Sequence, residues 1–241
     1  MSMGNMEQKP STIKSMFDSI APSYDFLNRF LSLRRDVYWR KKLVASLAHN
    51  GSPPSSLLDV ACGTCDVSIE AIRQYGPGLQ VWGADFSWPM LKAGKNKIST
   101  APGLSAINLV AADALLLPFH GEMFDAITIA FGIRNIADKP AALESFKNHL
   151  KSDGILAVLE LTTPKKGLPK KIYLAYFKRI LPVIGWIFSK NLAAYQYLPD
   201  SVLEFPTPEK FAEMMEHAGF ARVTWEPLTL GIATLFIGQK K

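Results

Sequence analysis

The sequence predicts an α/β protein built on a mostly parallel sheet with helices on both faces. From residue 57 onward, strand-like runs alternate with helix-like ones, which calls for parallel strands joined by helical crossovers. A turn of small residues, "CGTCD" (62–66), separates the first strand from the first helix of this series. Two final strand-like runs follow the last helix with no linker between them, so they are expected to close the same sheet. A chain of 241 residues, 48% hydrophobic and 20% charged, holds one domain with ample core material.

Taken in order, residues 10–50 read as helical. Met16, Ile20, Phe26, Leu27, Phe30 and Leu31 recur at spacings of three and four, and Pro22 breaks the run. "DVYWRKKLVASLAH" is a second helix, and "NGSPPSS" (50–56) is a loop of turn residues. "LLDVA" is a buried-strand run, and "DVSIEAIRQYG" is a helix stopped by glycine. "LQVWGAD" is the second strand; "WPMLKAGKNKI" is a helix with Pro89 in its first turn, where proline is tolerated. "SAINLVAAD" and "FDAITIAFG" are strands three and four, "PAALESFKNHL" a helix and "GILAVLEL" strand five. Residues 165–204 interrupt the rhythm as a basic, aromatic and apolar insertion. "PEKFAEMMEHAGF" restores it as a helix, and "ARVTWEPL" and "GIATLFIGQ" complete the sheet.

The composition excludes several classes. Two cysteines build no disulfide scaffold and suit a reducing, cytoplasmic setting. The polar start "MSMGNMEQKPST" carries no signal-peptide pattern, and no apolar run is long enough to span a bilayer. The four histidines are scattered without metal-ligand spacing. A net charge of +6 permits attraction to anionic surfaces. The basic residues of the insertion are interleaved with bulky aliphatics and match no nucleic-acid motif, so no nucleic-acid partner is expected.

The turn at 62–66 lies where a strand's carboxyl end meets a helix amino terminus, the usual place for a nucleotide-like cofactor. The third glycine of a dinucleotide fingerprint is missing, which disfavours a pyrophosphate. Asp85 follows Gly63 by 22 residues, near the spacing of about 20 at which a carboxylate takes ribose hydroxyls. Asp113 closes the next strand and, with the Ala114 amide, suits an adenine edge. The plain alternative is that these acids cap helices or form turns. For Cys62 and Cys65 the leading reading is two small residues of a cofactor loop; a redox pair and a zinc site are the alternatives.

These segments carry a resemblance. "LLDVACGTCD", "GADFSWPMLKAGKNK", "ADALLLPF", "FDAITIAFGIRN" and "LKSDGILAVLEL" resemble the motif series of class I S-adenosylmethionine-dependent methyltransferases, which implies their Rossmann-like seven-stranded sheet, mostly parallel with an antiparallel last strand. "FDSIAPSYDFLN", "FGIRN", "YQYLPDSVLEFP" and "GIATLFIG" are similar to the quinone-biosynthesis C-methyltransferases, over about residues 16–240. The resemblance implies S-adenosylmethionine as cofactor, held by Gly63, Thr64, Asp85, Asp113, Ala114 and Ala130. Thr64 is expected at the cofactor's amino-acid end. The resemblance also implies methylation of demethylmenaquinol, with the ubiquinone precursor (2-methoxy-6-polyprenyl-1,4-benzoquinol), another phenol or lipid, or a non-catalytic scaffold as alternatives. Arg134, Asn135, Tyr24 and Asp25 are the expected catalytic residues; the plain reading of Arg134-Asn135 is a solvated loop with a turn-forming Asn.

Departures from the family pattern stand at Cys65, usually glycine; at Arg34 and Asp36, near a usual glycine and histidine; and at Phe236, near a frequent histidine. Cys65 is tolerated if its backbone needs no positive φ, and the charges at 34 and 36 are expected to alter the pocket mouth. A single domain is expected, its substrate cover formed by residues 10–50 and 165–204. The stretch 168–191 mixes cations with aromatics, which fits a peripheral contact with the inner face of the membrane, a lid helix or a homodimer contact.

Overall fold

The computed structural model describes residues 10–48, 51–165, 167 and 192–241. His49 and the stretch 168–191 lie outside the described residues. One seven-stranded sheet has the order β3-β2-β1-β4-β5-β7-β6. The strands are β1 (Ser56–Val60), β2 (Gln80–Asp85), β3 (Ile107–Ala111), β4 (Phe124–Ala130), β5 (Leu150–Leu161), β6 (Phe220–Leu228) and β7 (Ala233–Lys240). The first five run parallel, and β7 runs antiparallel between β5 and β6. The helices are α1 (Pro10–Ile20), α2 (Tyr24–Leu31), α3 (Arg35–Ala45), α4 (Asp66–Tyr75), α5 (Trp88–Thr100), α6 (Lys139–His149), α7 (Leu192–Glu204) and α8 (Pro208–His217).

The central strands are buried on both faces, as parallel strands between helical layers must be. Leu57 to Val60 of β1 and Gly154 to Glu160 of β5 are all buried. On one face Leu57, Ala157 and Leu235 meet Trp39, Leu43 and Ile72. On the other, Leu58, Leu156 and Phe236 meet Phe146 and Phe211. Asp138 and Ser87 cap α6 and α5 through their side-chain oxygens, each followed by a proline in the first turn.

The elements fall where the alternation puts them, and the differences are local. β5 begins at Leu150, before Gly154, because Asp153 takes φ 63° and the strand continues through an irregularity in its pairing with β4. β7 starts at Ala233 because Thr229, Leu230 and Gly231 form a turn with φ of 48°, 60° and 85°. Part of the 165–204 insertion, 192–204, is the helix α7.

Phe236, fully buried on β7, packs 4.8 Å from the Phe211 ring of α8 and joins the antiparallel end of the sheet to its helical layer. Phe236→Ala is expected to cost about 3–5 kcal/mol in urea unfolding. A loss below about 1 kcal/mol would mean that the antiparallel end is held by other contacts.

Candidate active site

β1 and β4 are neighbours, and the chain order departs from them in opposite directions, so their carboxyl ends frame the crevice at which open α/β sheets bind ligands. The two loops there approach closely. A Cβ on Gly132 would lie 2.7 Å from the Ala61 Cβ, so only glycine fits at that crossing. Ala61, Cys65 and Phe131 all take positive φ (51°, 67° and 58°). A non-glycine residue held there costs of order 1 kcal/mol or more, and such strain gathers at functional sites.

Two buried acids hold this backbone. Asp59 of β1 accepts from the Ser68 amide (3.2 Å), the Ser68 hydroxyl (2.7 Å) and the Thr128 hydroxyl (3.0 Å), linking β1, α4 and β4. Asp85, at the end of β2, accepts from the amides of Gly63 and Ser87, each at 2.8 Å. Burial pushes the Asp85 carboxyl above its usual range. Asp113 is exposed and builds its own turn through the Leu115 amide (2.9 Å), as the turn-former reading has it. Ala114 follows in that turn, and Ala130 ends β4 beside the crevice.

The N-terminal helices close over the loop. A Cβ on Gly63 would meet the Tyr24 ring at 4.0 Å, and burial lifts the Tyr24 phenol above its usual value. Asp25 accepts from the Thr64 hydroxyl (2.5 Å) and from Lys97 (2.7 Å), which also binds Asp66 (2.6 Å). Asp25 is thus engaged in a clamp, and the Thr64 hydroxyl turns toward the cover helix. Arg40 pairs with Asp36 (2.5 Å) and Asp66 (3.4 Å). Asp36 is buried and also accepts from Ser32 (2.7 Å), so its charge is spent inside α3 and not at the pocket mouth.

Past β4, the Arg134 side chain is only 7% exposed and donates to Glu160 (2.7 Å) and to the Phe131 carbonyl (2.5 Å). Its backbone amide also donates to Glu160 (3.1 Å). Burial works against the Arg134 charge, but Glu160 outweighs it and lifts the pKa above the usual value. Nε of Arg134 is the one buried side-chain nitrogen or oxygen without a hydrogen-bond partner among the described residues. Asn135 accepts from the Tyr197 hydroxyl of α7 (2.8 Å), so the insertion reaches the loop after β4. Glu160, Lys97 and Tyr197 were not singled out as site residues by the sequence. The paired motif "YQYL" held the only signal for Tyr197. Among the described residues, no group of His, Cys, Asp or Glu could hold a metal.

The model of the ubiE/COQ5 methyltransferase family matches residues 3–240. The chain belongs to this family. A ubiquinone/menaquinone biosynthesis C-methyltransferase of Geobacter sulfurreducens is 42% identical over 240 residues, which cover 100% of this chain and 93% of the relative. A demethylmenaquinone methyltransferase of Thermus thermophilus is 44% identical over 225 residues, 93% of this chain and 100% of the relative. Among solved structures, an S-adenosylmethionine-dependent methyltransferase of Thermotoga maritima aligns with a TM-score of 0.63 at 16% identity, covering 95% of this chain and 100% of that one. The phosphoethanolamine N-methyltransferase 2 of Haemonchus contortus, solved with S-adenosylhomocysteine and phosphomonomethylethanolamine, gives 0.67 at 14% identity, covering 96% of this chain and 61% of that one. Those two likenesses show a shared fold. The chain is a C-methyltransferase with a class I fold.

In this methyltransferase the departure at Cys65 is not free of backbone cost, since its φ is 67° at the start of α4. The cysteine is fully buried and its Sγ fills space that Gly94 leaves on α5, where a Cβ would come within 2.4 Å of the sulfur. Cys62 packs in the same way over Gly83, whose Cβ would stand 3.0 Å from Sγ. A hydrogen bond from the Cys62 thiol to the Cys65 sulfur, then burial, pushes the Cys62 thiol well above its usual value. A redox pair needs the opposite shift at Cys62, so the geometry favours two thiols that serve as packing.

Gly94→Ala is expected to displace the 62–66 loop and weaken S-adenosylmethionine binding about tenfold by calorimetry. Adding Cys65→Gly to the same chain makes room and restores it. Wild-type affinity in Gly94→Ala would mean that the loop is not held by this packing pair.

Burial raises the Asp59 carboxyl from its ordinary value to about 6, against the bonds from Ser68 and Thr128. The folded state therefore binds this proton more tightly than the unfolded chain does. The contribution to stability is full below about pH 4 and is lost as pH rises through about 6. In Asp59→Asn this component disappears. The wild-type minus variant difference in melting temperature should fall between about pH 4 and 7 and be flat above. A difference that rises with pH would reverse the assignment.

Proposed function

We propose that this chain transfers a methyl group from S-adenosylmethionine to a ring carbon of demethylmenaquinol. The observation that carries this reading is Arg134, buried, clamped by Glu160 and with its Nε–H unpartnered among the described residues. A quinol ring carbon becomes nucleophilic when the adjacent hydroxyl loses its proton. A fixed cation that cannot give up its own proton lowers the pKa of a hydroxyl held against it. The Nε–H supplies a donor for that oxygen. Tyr24, protonated at neutral pH, and Asn135, held by Tyr197, orient the ring from either side.

The residues at the β1 end fit the cofactor. Asp85 stands at ribose distance in the chain, the small loop at Gly63 leaves space beneath Tyr24, and the amino terminus of α4 suits a carboxylate. Asp113, Ala114 and Ala130 complete the crevice toward the adenine and methyl ends. When bound, S-adenosylmethionine supplies the methyl electrophile. The protein's part is to align the ring carbon with it and to keep water out. The helices of 10–50 and the insertion 165–204 serve as the substrate cover.

The relatives' names support this acceptor, and the Geobacter name, which joins both quinones, supports the ubiquinone precursor as a second. Either acceptor carries a polyprenyl tail, which supports a working position at the inner face of the membrane, with 168–191 a candidate contact. Among the described residues, no helix is long and apolar enough to cross a membrane.

Labelled S-adenosylmethionine, offered with each reduced quinone in detergent, is expected to label demethylmenaquinol. Arg134→Ala should keep cofactor affinity and lose roughly a hundredfold or more in turnover. Glu160→Gln should lose turnover in the same direction by freeing the guanidinium. Equal loss of cofactor binding and turnover in Arg134→Ala would make that residue structural, and no label in either quinol would overturn the acceptor.

A further inference from the structure

Two turns at the crevice rim carry leucines that the fold itself does not use. Leu33, between α2 and α3, is 83% exposed at φ 51°, and Leu230, between β6 and β7, is 77% exposed at φ 60°. Asparagine or glycine would take such backbone angles at lower cost, and water penalises both side chains. An apolar residue kept in strain and in water points to a role outside the folded chain. The two turns belong to one rim. The Trp39 indole of α3 donates to Thr229 (2.8 Å), and the Trp39 ring lies 6.1 Å from Phe131, next to the Arg134 loop. β6 runs parallel to β5, so its turn stands at the carboxyl ends of the strands, where Thr162 binds the Gly231 carbonyl (2.9 Å). Beside Leu33 stand Arg34 and Arg35, both exposed, neither paired with a carboxylate among the described residues.

We propose that these two turns are a lipid contact. Leu33 and Leu230 enter the interface of an anionic bilayer, and Arg34 and Arg35 meet its phosphate headgroups. The charges select the partner: apolar tips flanked by unpaired cations match an anionic lipid surface. The departure at Arg34, where the family pattern has a glycine nearby, adds a charge on this rim. The contact would hold the crevice mouth against the membrane in which a polyprenyl acceptor resides, and to that extent it rests on the function proposed above.

The test is flotation of the full chain with phosphatidylglycerol-containing vesicles and with neutral phosphatidylcholine vesicles, at low and high salt. Wild type is expected to float with the anionic vesicles and to be released by salt. Leu33→Asn with Leu230→Asn, which relieves backbone strain and so preserves the fold, should weaken flotation roughly tenfold or more. Arg34→Gln with Arg35→Gln should reduce anionic binding to the neutral level. The melting temperature should stay at the wild-type value in both double variants, so that lost flotation is not lost folding, and wild-type turnover of a short-tailed quinol in detergent reads the proposed function separately from the contact. The contact is overturned if wild type stays unbound at low salt or if the leucine variant floats like wild type. It is also overturned if the leucines prove to govern only a dimer-to-monomer change in sedimentation, with lipid binding intact.

Discussion

The loop between β1 and α4 must hold three left-handed residues, Ala61, Gly63 and Cys65, in one short turn of backbone, and everything at the crevice depends on that shape being fixed. Asp59 fixes it from below. Its carboxylate gathers three donors from two elements, so β1, α4 and β4 cannot shift independently without leaving a buried charge short of partners. Asp85 fixes it from the side by taking the Gly63 amide. Burial taxes both carboxyls, which is why both are raised, and the protein accepts that tax where its backbone is most strained. The cost and the geometry therefore share one origin.

α2 is tied to this loop by charge, and α3 is anchored in the core by Trp39, Leu43 and Val44. Lys97 of α5 bridges Asp25 of α2 and Asp66 of α4, and Arg40 of α3 bridges Asp36 and Asp66. The side chains of Lys97 and Asp25 are 30% and 25% exposed, so each pair alone is weak. Shared partners make the group a network that ties three helices to the start of α4. The network orders α2 over the start of α4, while the buried side chains of α3 keep that helix fixed to the sheet. Asp25 belongs to this fastening as a positioning residue.

Much of the fold was legible because alternating strand and helix patterns are set by burial, and burial is written in composition. The loop at 62–66, Asp85 and the Arg134-Asn135 pair were legible because their positions at strand ends are themselves a signal. Glu160 was not, since it closes an apolar strand run and acquires its role only when folding brings Arg134 to it from 26 residues away. Lys97 left no sign either, since its partners Asp25 and Asp66 come from other elements of the fold. The positive φ at Cys65 was hidden because cysteine gives no conformational sign, whereas glycine would have. Asp59 did leave a trace: a carboxylate inside the buried run "LLDVA" needs partners, and Ser68 and Thr128 supply them.

The pairing of Arg134 with Glu160 raises a tension that bears on how such a site works. A carboxylate 2.7 Å away neutralises part of the charge that would stabilise a phenolate. A free guanidinium would offer more charge but would have to be ordered at each turnover, and a buried one without a partner would be expelled or would distort the fold. Glu160 binds both the side chain and the backbone amide of Arg134, so it fixes the plane of the guanidinium as well as its place. With the terminal Nη1 taken by Glu160 and the Phe131 carbonyl, Nε is left without a protein partner among the described residues. The site gives up some electrostatic strength and gains a donor that is aimed before the acceptor arrives. On the function proposed above, that exchange favours catalysis, because the reorganisation a looser cation would need is itself part of the barrier.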